Sequence, residues 1–251
     1  MTLEYKLKSL ILFHHIAFMF GLIFANLSWL WVSFIGFIII NRIGGEIGLH
    51  RYFAHRSFKT SKWKRYFLFY TASLCNVGSP LSWVGVHRKH HVKSDTEDDP
   101  HGNQSMFKVW STFWDSYQIE PRYAIDLMKD PVHKIFHRYY FPIVIISYIW
   151  LGIIAWELPI FLISASCLIT YHSAGLVNTI CHKYGYKSFN TKDKSTNNTI
   201  VNIITLGSGL HNNHHYDPAN YSNKFSKYEF DLPAWIIKNF FMKYDNTQIK
   251  T

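Results

Sequence analysis

The sequence predicts an all-α integral membrane protein, built from two transmembrane helical hairpins and a histidine-rich polar part on the cytoplasmic side. Two observations predict this fold. All 26 lysines and arginines fall outside two long apolar blocks, residues 9–41 and 139–182, which are the candidates for membrane hairpins. A span needs about 20 predominantly apolar residues, so the first helix is long enough only if adjoining residues are counted in. The histidines concentrate in three short clusters outside these blocks. No repeat or second domain is indicated, so residues 1–251 are expected to form one membrane domain.

The first hairpin is predicted from spans at about residues 10–25 and 29–48, and the second from spans at about 139–156 and 158–177. Neither connecting turn carries a cation, whereas both outer ends of each hairpin are flanked by lysine or arginine. By the positive-inside rule, all four outer ends then lie in the cytoplasm. The N-terminus, the C-terminus and the histidine clusters are therefore predicted on one side.

A third apolar stretch, residues 67–86, is predicted to be interfacial or re-entrant. If it crossed the bilayer, His55 and His87 would lie on opposite faces and could not share a site. It also contains Asn76-Val77-Gly78-Ser79-Pro80, a poor interior for a helix that faces lipid.

The rest of the chain is predicted to be cytoplasmic or to lie on the membrane surface. Residues 87–138 are polar, with an amphipathic piece at Met106–Tyr117, and Thr199–Leu210 is predicted as a short apolar helix. Asp231-Leu232-Pro233 is typical of a helix start, and Ala234–Met242 has the pattern of an amphipathic helix on the membrane.

The net charge of +10 does not indicate a nucleic-acid partner, because the cations surround apolar spans and do not form a separate basic domain. Attraction to anionic lipid headgroups accounts for them better. The three cysteines, Cys75, Cys167 and Cys181, form no CxxC motif, so neither a disulfide framework nor an iron–sulfur site is expected.

The histidine clusters have the spacing of metal ligands. In a helix, positions i, i+3 and i+4 share a face, while adjacent residues diverge, so HxxHH clusters can feed two points. His50 and His55 would splay on a regular helix, which suits two separate metals or a helix that ends between them. Asn178 and His182 are spaced i, i+4. Nine imidazoles are too many for one ion and about right for two.

Five other histidines stand alone and are interpreted as core or surface residues: His14, His15, His133, His137 and His172. For the first two, which lie inside the first span, we expect a buried hydrogen-bonding role.

Four motifs between and after the hairpins together resemble the membrane fatty-acid desaturases of the stearoyl-CoA desaturase and acyl-lipid desaturase type, over about residues 40–235. They are GLHRYFAHRSF, HRKHH followed by SDTEDDPH, NTICHKYGYKSF, and GLHNNHH. The resemblance implies four spans and a cytosolic helical cap that holds two irons. The ligands it implies are His50, His55, His87, His90, His91, His182, His211, His214 and His215, with Asn178 acting through a water. Asp95, Asp99 and His101 match the acidic run after the second cluster, where they could orient ligating imidazoles or form a solvated loop.

The activity implied by the resemblance is oxygen-dependent insertion of a cis double bond into a saturated acyl chain. It implies two Fe2+ ions, dioxygen as cosubstrate and a separate electron donor, ferredoxin-like or cytochrome b5-like with its reductase. It also implies a bacterial inner membrane or the endoplasmic reticulum. A fatty acyl or lipid hydroxylase on the same scaffold is the alternative. A metal transporter would need ionisable residues deep within the spans, which this pattern does not favour.

Two departures from the family pattern bear on the substrate and the site. Gly85-Val86 stand where animal acyl-CoA desaturases have Arg-Asp, which weakens the inference of a coenzyme A headgroup and leaves a membrane lipid or an acyl-carrier-protein ester open. Gly207-Ser208-Gly209 stand where many members have Gly-Glu-Gly, so a carboxylate is missing near the metals. Neither departure removes a ligand.

Overall fold

A computed structural model describes residues 3–101 and 120–243, and the elements in these residues are helical. They are α1 (Leu3–Phe24), α2 (Leu30–Gly36), the π-helix π1 (Phe37–Ala54), α3 (Lys62–Ser73), α4 (Pro80–Lys93), α5 (Ile125–Met128), α6 (Pro131–Arg138), α7 (Tyr140–Ile154), π2 (Pro159–Ser164), α8 (Ala165–Ile180), α9 (Thr199–Ile204), α10 (His211–Tyr216), α11 (Leu232–Ile236) and π3 (Ile237–Phe241). Short 3-10 turns lie at Leu27–Trp29 and Pro121–Tyr123. The described part contains two isolated β-bridges, Tyr186 to Asn197 and Asn197 to Leu210, and no strand. The all-α prediction is confirmed for these residues.

Two continuous helices are long and apolar enough to cross a membrane, Leu27–Ala54 and Pro159–Ile180. The first contains the predicted second span, and the second begins one residue after the start of the predicted fourth span and ends three residues beyond it. The bent pair α6 and α7, which meet at 62°, would make a third span if it crosses as one unit. The apolar part of α1, Lys8–Phe24, is shorter. Four spans therefore stay a prediction.

The outer faces of α1 and α7 carry apolar side chains that no described residue covers. Ile23 is 67% exposed and Ile153 is 78% exposed, and neighbours on the same helices, such as Ile16 and Trp150, are also more than half exposed. An apolar surface of this extent is normally covered by a membrane or by another protein. The acyl chains of a bilayer would provide this cover.

The core forms where π1 packs against α3, α4 and α8. Ile47 and Phe53 of π1 contact this core together with Leu68 and Phe69 of α3, and all four are almost fully buried. At Gly44 the two helices approach so closely that an added Cβ would lie 2.4 Å from the Thr71 carbonyl oxygen. Only glycine fits this crossing, which sets the position of π1 and of the histidines at its end.

The stretch 67–86 is broken in the middle, where the sequence predicts a poor helix interior. Helix α3 ends at Ser73, and α4 begins at Pro80 after a turn in which Asn76 and Gly78 have positive φ. The Ser79 hydroxyl caps α4 by accepting a hydrogen bond from the Ser82 N–H at 3.2 Å. An interfacial or re-entrant placement of this segment remains a prediction.

Near the C-terminus one expectation is wrong and one is confirmed. Helix α9 ends at Ile204 and does not reach Leu210, because Leu206 and Gly207 adopt positive φ and turn the chain. Asp231 caps α11 as predicted, with its Oδ1 accepting from the Ala234 N–H at 2.9 Å. The predicted amphipathic segment Met106–Tyr117 lies outside the described residues.

The segment after this cap is amphipathic. Ile237 and Phe241 are buried against the core, whereas Trp235 and Phe240 are more than half exposed. Its placement on the membrane surface remains a prediction.

Candidate metal centre

Nine histidines form two adjacent groups. Within each group, the candidate ligand atoms all lie within 4.8 Å of one another. The first histidine group is His50, His55, His87, His91 and His214. The second histidine group is His90, His182, His211 and His215. The groups touch where the rings of His91 and His215 stack at a centroid distance of 4.4 Å. These are the nine histidines singled out from the sequence, divided into two sets.

The division follows from helical geometry. In α4, His87 and His91 lie one turn apart and enter the first group, while His90 points about 100° away from His91 and enters the second. In α10, His211 and His215 enter the second group and His214 the first. Each HxxHH cluster therefore feeds both groups.

His50 and His55 enter the same group, which agrees with the alternative of a helix that ends between them. The helix ends at Ala54, between the two histidines. Its last turn is π-helical, with the His55 N–H donating to the His50 carbonyl oxygen at 3.2 Å. Because π-helical bonds join residues i and i+5, a spacing of five brings both imidazoles to one side.

The Nε2 atoms of the first group converge. The Nε2 to Nε2 distances are 2.9 Å from His50 to His214, 2.8 Å from His55 to His87, 3.1 Å from His87 to His91 and 3.0 Å from His91 to His214. Nitrogens bound at right angles, each about 2.1 Å from one ion, would be about 3.0 Å apart. The arrangement has the size of a metal coordination sphere.

Buried nitrogens without partners test the fit of the second group. His182 and His211 place their Nε2 atoms 2.9 Å apart. The Nε2 atoms of His90 and His215 are buried and have no hydrogen-bond partner among the described residues. A buried ring nitrogen normally has a partner. A cation between these four nitrogens would provide one, so the donor set fits a metal.

In four of the histidines, a carboxylate accepts a hydrogen bond from Nδ1. The pairs are His50 with Glu46 at 2.9 Å, His90 with Asp99 at 2.8 Å, His182 with Asp95 at 3.2 Å and His215 with Asp193 at 2.6 Å. A proton held on Nδ1 leaves the Nε2 lone pair free to bind a metal. Asp95 and Asp99 thus contact imidazoles, as the first of the two alternatives for them requires.

Two of these carboxylates were missed in the sequence. Glu46 precedes His50 by four residues, a spacing that the apolar context of the helix obscured. Asp193 lies in a polar loop 22 residues before His215, and no spacing relates the two. The hydroxyl of Ser195 and that of Thr191 also bond to Asp193 and hold it in place.

His101 and Asn178, the remaining candidates, lie beside the centre and outside both groups. The His101 ring is 5.3 Å from the His90 ring, and its backbone N–H donates to Asp99 Oδ1 at 2.8 Å. Asn178 is half-buried and lines the same cavity as His211 and His214. This position suits a contact through water.

Burial favours the neutral form of several of these imidazoles. It lowers the pKa of His87, His91, His211 and His214 well below the ordinary value, and neighbouring imidazoles lower each pKa further. Burial also opposes ionisation of Asp99, yet the His90 hydrogen bond holds the pKa of that carboxyl at about 2. Neutral imidazoles and ionised carboxylates are the forms that bind a metal.

A partly open cavity lies beside the first histidine group. Leu49, Val77, Trp83, Ala174 and Val177 give it an apolar wall. His50, His87, His211 and His214 form its wall toward the centre. Small-molecule sites usually have a largely apolar lining with a few polar groups, as here. The cavity can hold an apolar chain against the histidines.

The histidines expected to stand alone lie outside both groups. His14 is fully buried, and its Nδ1 lies 2.9 Å from the Ser164 hydroxyl, as the hydrogen-bonding role requires. The His15 Nδ1 lies 2.9 Å from the Ile11 carbonyl oxygen. His133 packs against Phe69.

Replacing Asp193 by asparagine should weaken metal binding by the second histidine group. The amide oxygen of asparagine can still accept a hydrogen bond from His215 Nδ1, but it lacks the negative charge that raises the basicity of the ring. Loss of such a partner costs about 10- to 100-fold in metal affinity. Metal content after dialysis against a graded chelator measures the change. Asp98→Asn is the matched control, since Asp98 is exposed and pairs with Lys93. Equal metal retention in both variants would contradict the expectation.

Comparison with known proteins agrees with the motifs. The family model described as Fatty acid desaturase matches residues 26–249. The sn-1 stearoyl-lipid 9-desaturase of Anabaena variabilis is 35% identical over 233 residues, which cover 88% of this chain and 84% of that protein. The Acyl-CoA C20 Delta5-desaturase of Anemone leveillei is 34% identical, covering 89% and 77%. The Delta-9 acyl-lipid desaturase 2 of Arabidopsis thaliana is 30% identical, covering 85% and 72%.

Proposed function

Because this chain belongs to the fatty acid desaturase family and is a fatty acyl desaturase, we propose that its two histidine groups hold two iron ions and that it uses dioxygen as cosubstrate. The observation that carries the proposal is the convergence of nine imidazoles into two adjacent groups beside an apolar cavity. The ligands are the nine histidines, with Asn178 acting through a water.

The first histidine group does not suit a tetrahedral zinc site, and iron is the metal that the family resemblance implies. Structural zinc in proteins is almost always four-coordinate and tetrahedral, with ligands about 3.4 Å apart. The first histidine group offers five nitrogens, and its Nε2 atoms are closer together than a tetrahedron would place them. Imidazole is a good ligand for iron.

The reaction needs a metal because a methylene C–H bond has no useful acidity, so no side-chain base can remove its hydrogen. When bound, the iron pair supplies an oxidant formed from dioxygen. Two hydrogens leave adjacent carbons, and with two further electrons and two protons dioxygen is reduced to two waters. The protein holds the alkyl chain, and the apolar wall at Leu49, Val77 and Ala174 decides which carbons lie beside the histidines.

A membrane lipid is the substrate that this chain favours, with the acyl group as the part that enters the cavity. Gly85 and Val86 are buried in α4 and carry no charge for a coenzyme A headgroup. Two of the relatives above are named as lipid desaturases, although one is named as an acyl-CoA desaturase. A lipid substrate can reach the cavity from the bilayer that the exposed faces of α1 and α7 contact.

The two further electrons require a separate carrier, ferredoxin-like or cytochrome b5-like with its reductase. The four-span topology, with both termini and the centre in the cytoplasm, places the site where such a carrier can dock. The cation-free turns of both hairpins support this orientation.

Gas chromatography with mass spectrometry of lipids from cells expressing the chain tests the proposal. The expected product is a new monounsaturated acyl chain, with its double bond located by derivatisation. A hydroxylated chain would instead establish the hydroxylase alternative. Lipid-class separation before analysis shows whether the product appears first in intact lipids or in acyl thioesters.

A further inference from the structure

A buried charge network lies directly behind the first histidine group. Glu46 Oε1 accepts hydrogen bonds from His50 Nδ1 at 2.9 Å and from Arg51 Nε at 3.2 Å. Glu46 Oε2 accepts from the Ser208 hydroxyl at 2.9 Å. The same hydroxyl accepts from Arg42 Nη1 at 2.8 Å. Both carboxylate oxygens are therefore fixed by partners from the helix and from the loop before α10.

The network is balanced in charge and largely buried. Arg42, Glu46, Arg51 and Asp231 are all buried, and Arg51 Nη1 donates to Asp231 Oδ2 at 3.0 Å. Two cations thus face two anions. Four buried charges are costly unless each is paired and hydrogen-bonded, so such a group is rigid once formed. A rigid carboxylate can orient the imidazole that it holds.

We propose that Glu46 is the positioning residue of the first histidine group, holding His50 through Nδ1 with its free Nε2 toward the metal. The inference rests on the proposed iron centre. Ser208 serves this role as a small hydroxyl that links Glu46 to Arg42. The carboxylate that the family pattern places in the loop at position 208 is thereby supplied from the helix.

The geometry of the loop explains why a serine hydroxyl at position 208 is enough to hold Glu46. Gly207 turns the chain at a φ of +130°, and a Cβ there would lie 3.2 Å from Asp231 Oδ1. The loop is thus packed against the acidic end of the network. Its next residue, Ser208, reaches Glu46 with a single heavy atom. With Glu46 present, a carboxylate at position 208 would place two anions within contact distance.

The test measures iron bound by the purified full-length chain during competition with a ferrous chelator. Glu46→Gln keeps the shape of the side chain but removes its charge. We expect affinity at one of two iron sites to fall by about 10- to 100-fold, as loss of an outer partner of a ligating histidine does. We also expect one of the two ferrous Mössbauer signals to change. Ser208→Ala should shift the same site by less, because Glu46 keeps Arg51.

Asp231→Asn is the matched control, since Asp231 belongs to the network but contacts no histidine of either group in the described residues. If Glu46 acts only on stability, both variants will lose iron in proportion to their unfolding, and the inference fails. It also fails if Glu46→Gln keeps both sites at parental affinity. A parent chain that binds no iron would instead overturn the proposed function.

A reciprocal variant, Glu46→Ser with Ser208→Glu, moves the carboxylate from the helix to the loop. The space vacated by Glu46 lies between Ser208 and His50, so the new side chain can reach Nδ1. Iron affinity should return to within about 10-fold of the parent, a smaller deficit than that of a lost partner. An iron affinity no better than that of Glu46→Ser alone would show that the loop cannot supply the contact. It would overturn the inference that Glu46 takes the place of a carboxylate at position 208.

Discussion

Replacing His90 by alanine is expected to abolish product formation while the protein still inserts into membranes. His90 is one of four members of the second histidine group, it is 2% exposed, and its Nε2 has no other partner in the described part of the chain. Losing a ligand should cost more than the 10- to 100-fold that follows loss of an outer partner. Acyl-chain analysis of expressing cells measures the effect. The affinity of the second group for iron should fall, because it keeps only three imidazoles.

His172→Ala is the control for this variant. His172 is exposed on α8, contacts the His15 ring and belongs to neither group. Its removal should leave product and iron unchanged. Insertion of both variants can be followed by extraction of membranes at alkaline pH, since His90 lies outside the two candidate spans. Unchanged product from His90→Ala would remove the ligand assignment.

The histidines of the centre could be predicted because a helix repeats every 3.6 residues, so HxxHH at two places already specifies two directions. The spacing of His50 and His55 left open whether they serve one metal or two, since a spacing of five brings both to one side only if the helix ends in a π turn. Such a turn has no sequence pattern that separates it from an ordinary helix end.

The orienting carboxylates also divide into those that the sequence indicates and those that it does not. Asp99 was a candidate because the family resemblance matches the acidic run after the second cluster, and its contact with His90 favours the orienting role over a solvated loop. Asp193 was not, because its contact with His215 joins a loop to a helix, and long-range pairing depends on how the whole chain packs. Glu46 stands between these cases. Its spacing from His50 is regular, but an acid inside an apolar helix is explained only by Arg42, Arg51 and Ser208 around it.

Filling the apolar cavity separates the metal centre from the substrate site. Ala174 lines the cavity on α8 and belongs to neither histidine group, so Ala174→Phe should leave iron content at the parental value. It should lower the yield from long saturated chains by at least about 10-fold, because one methylene group of excess length in an apolar pocket already costs that much. Shorter chains should lose less, and the product profile should shift toward them.

Feeding cells with saturated acids of graded length and measuring each monounsaturated product by gas chromatography checks this. Ala155→Phe is the matched control, since Ala155 lies in the turn between α7 and π2 and does not line the cavity. It should leave the chain-length profile of the parent unchanged. An Ala174→Phe profile identical to that of the parent would mean that the acyl chain does not occupy this cavity. Because iron content is measured on the same preparations, loss of product with both irons retained assigns the effect to substrate placement.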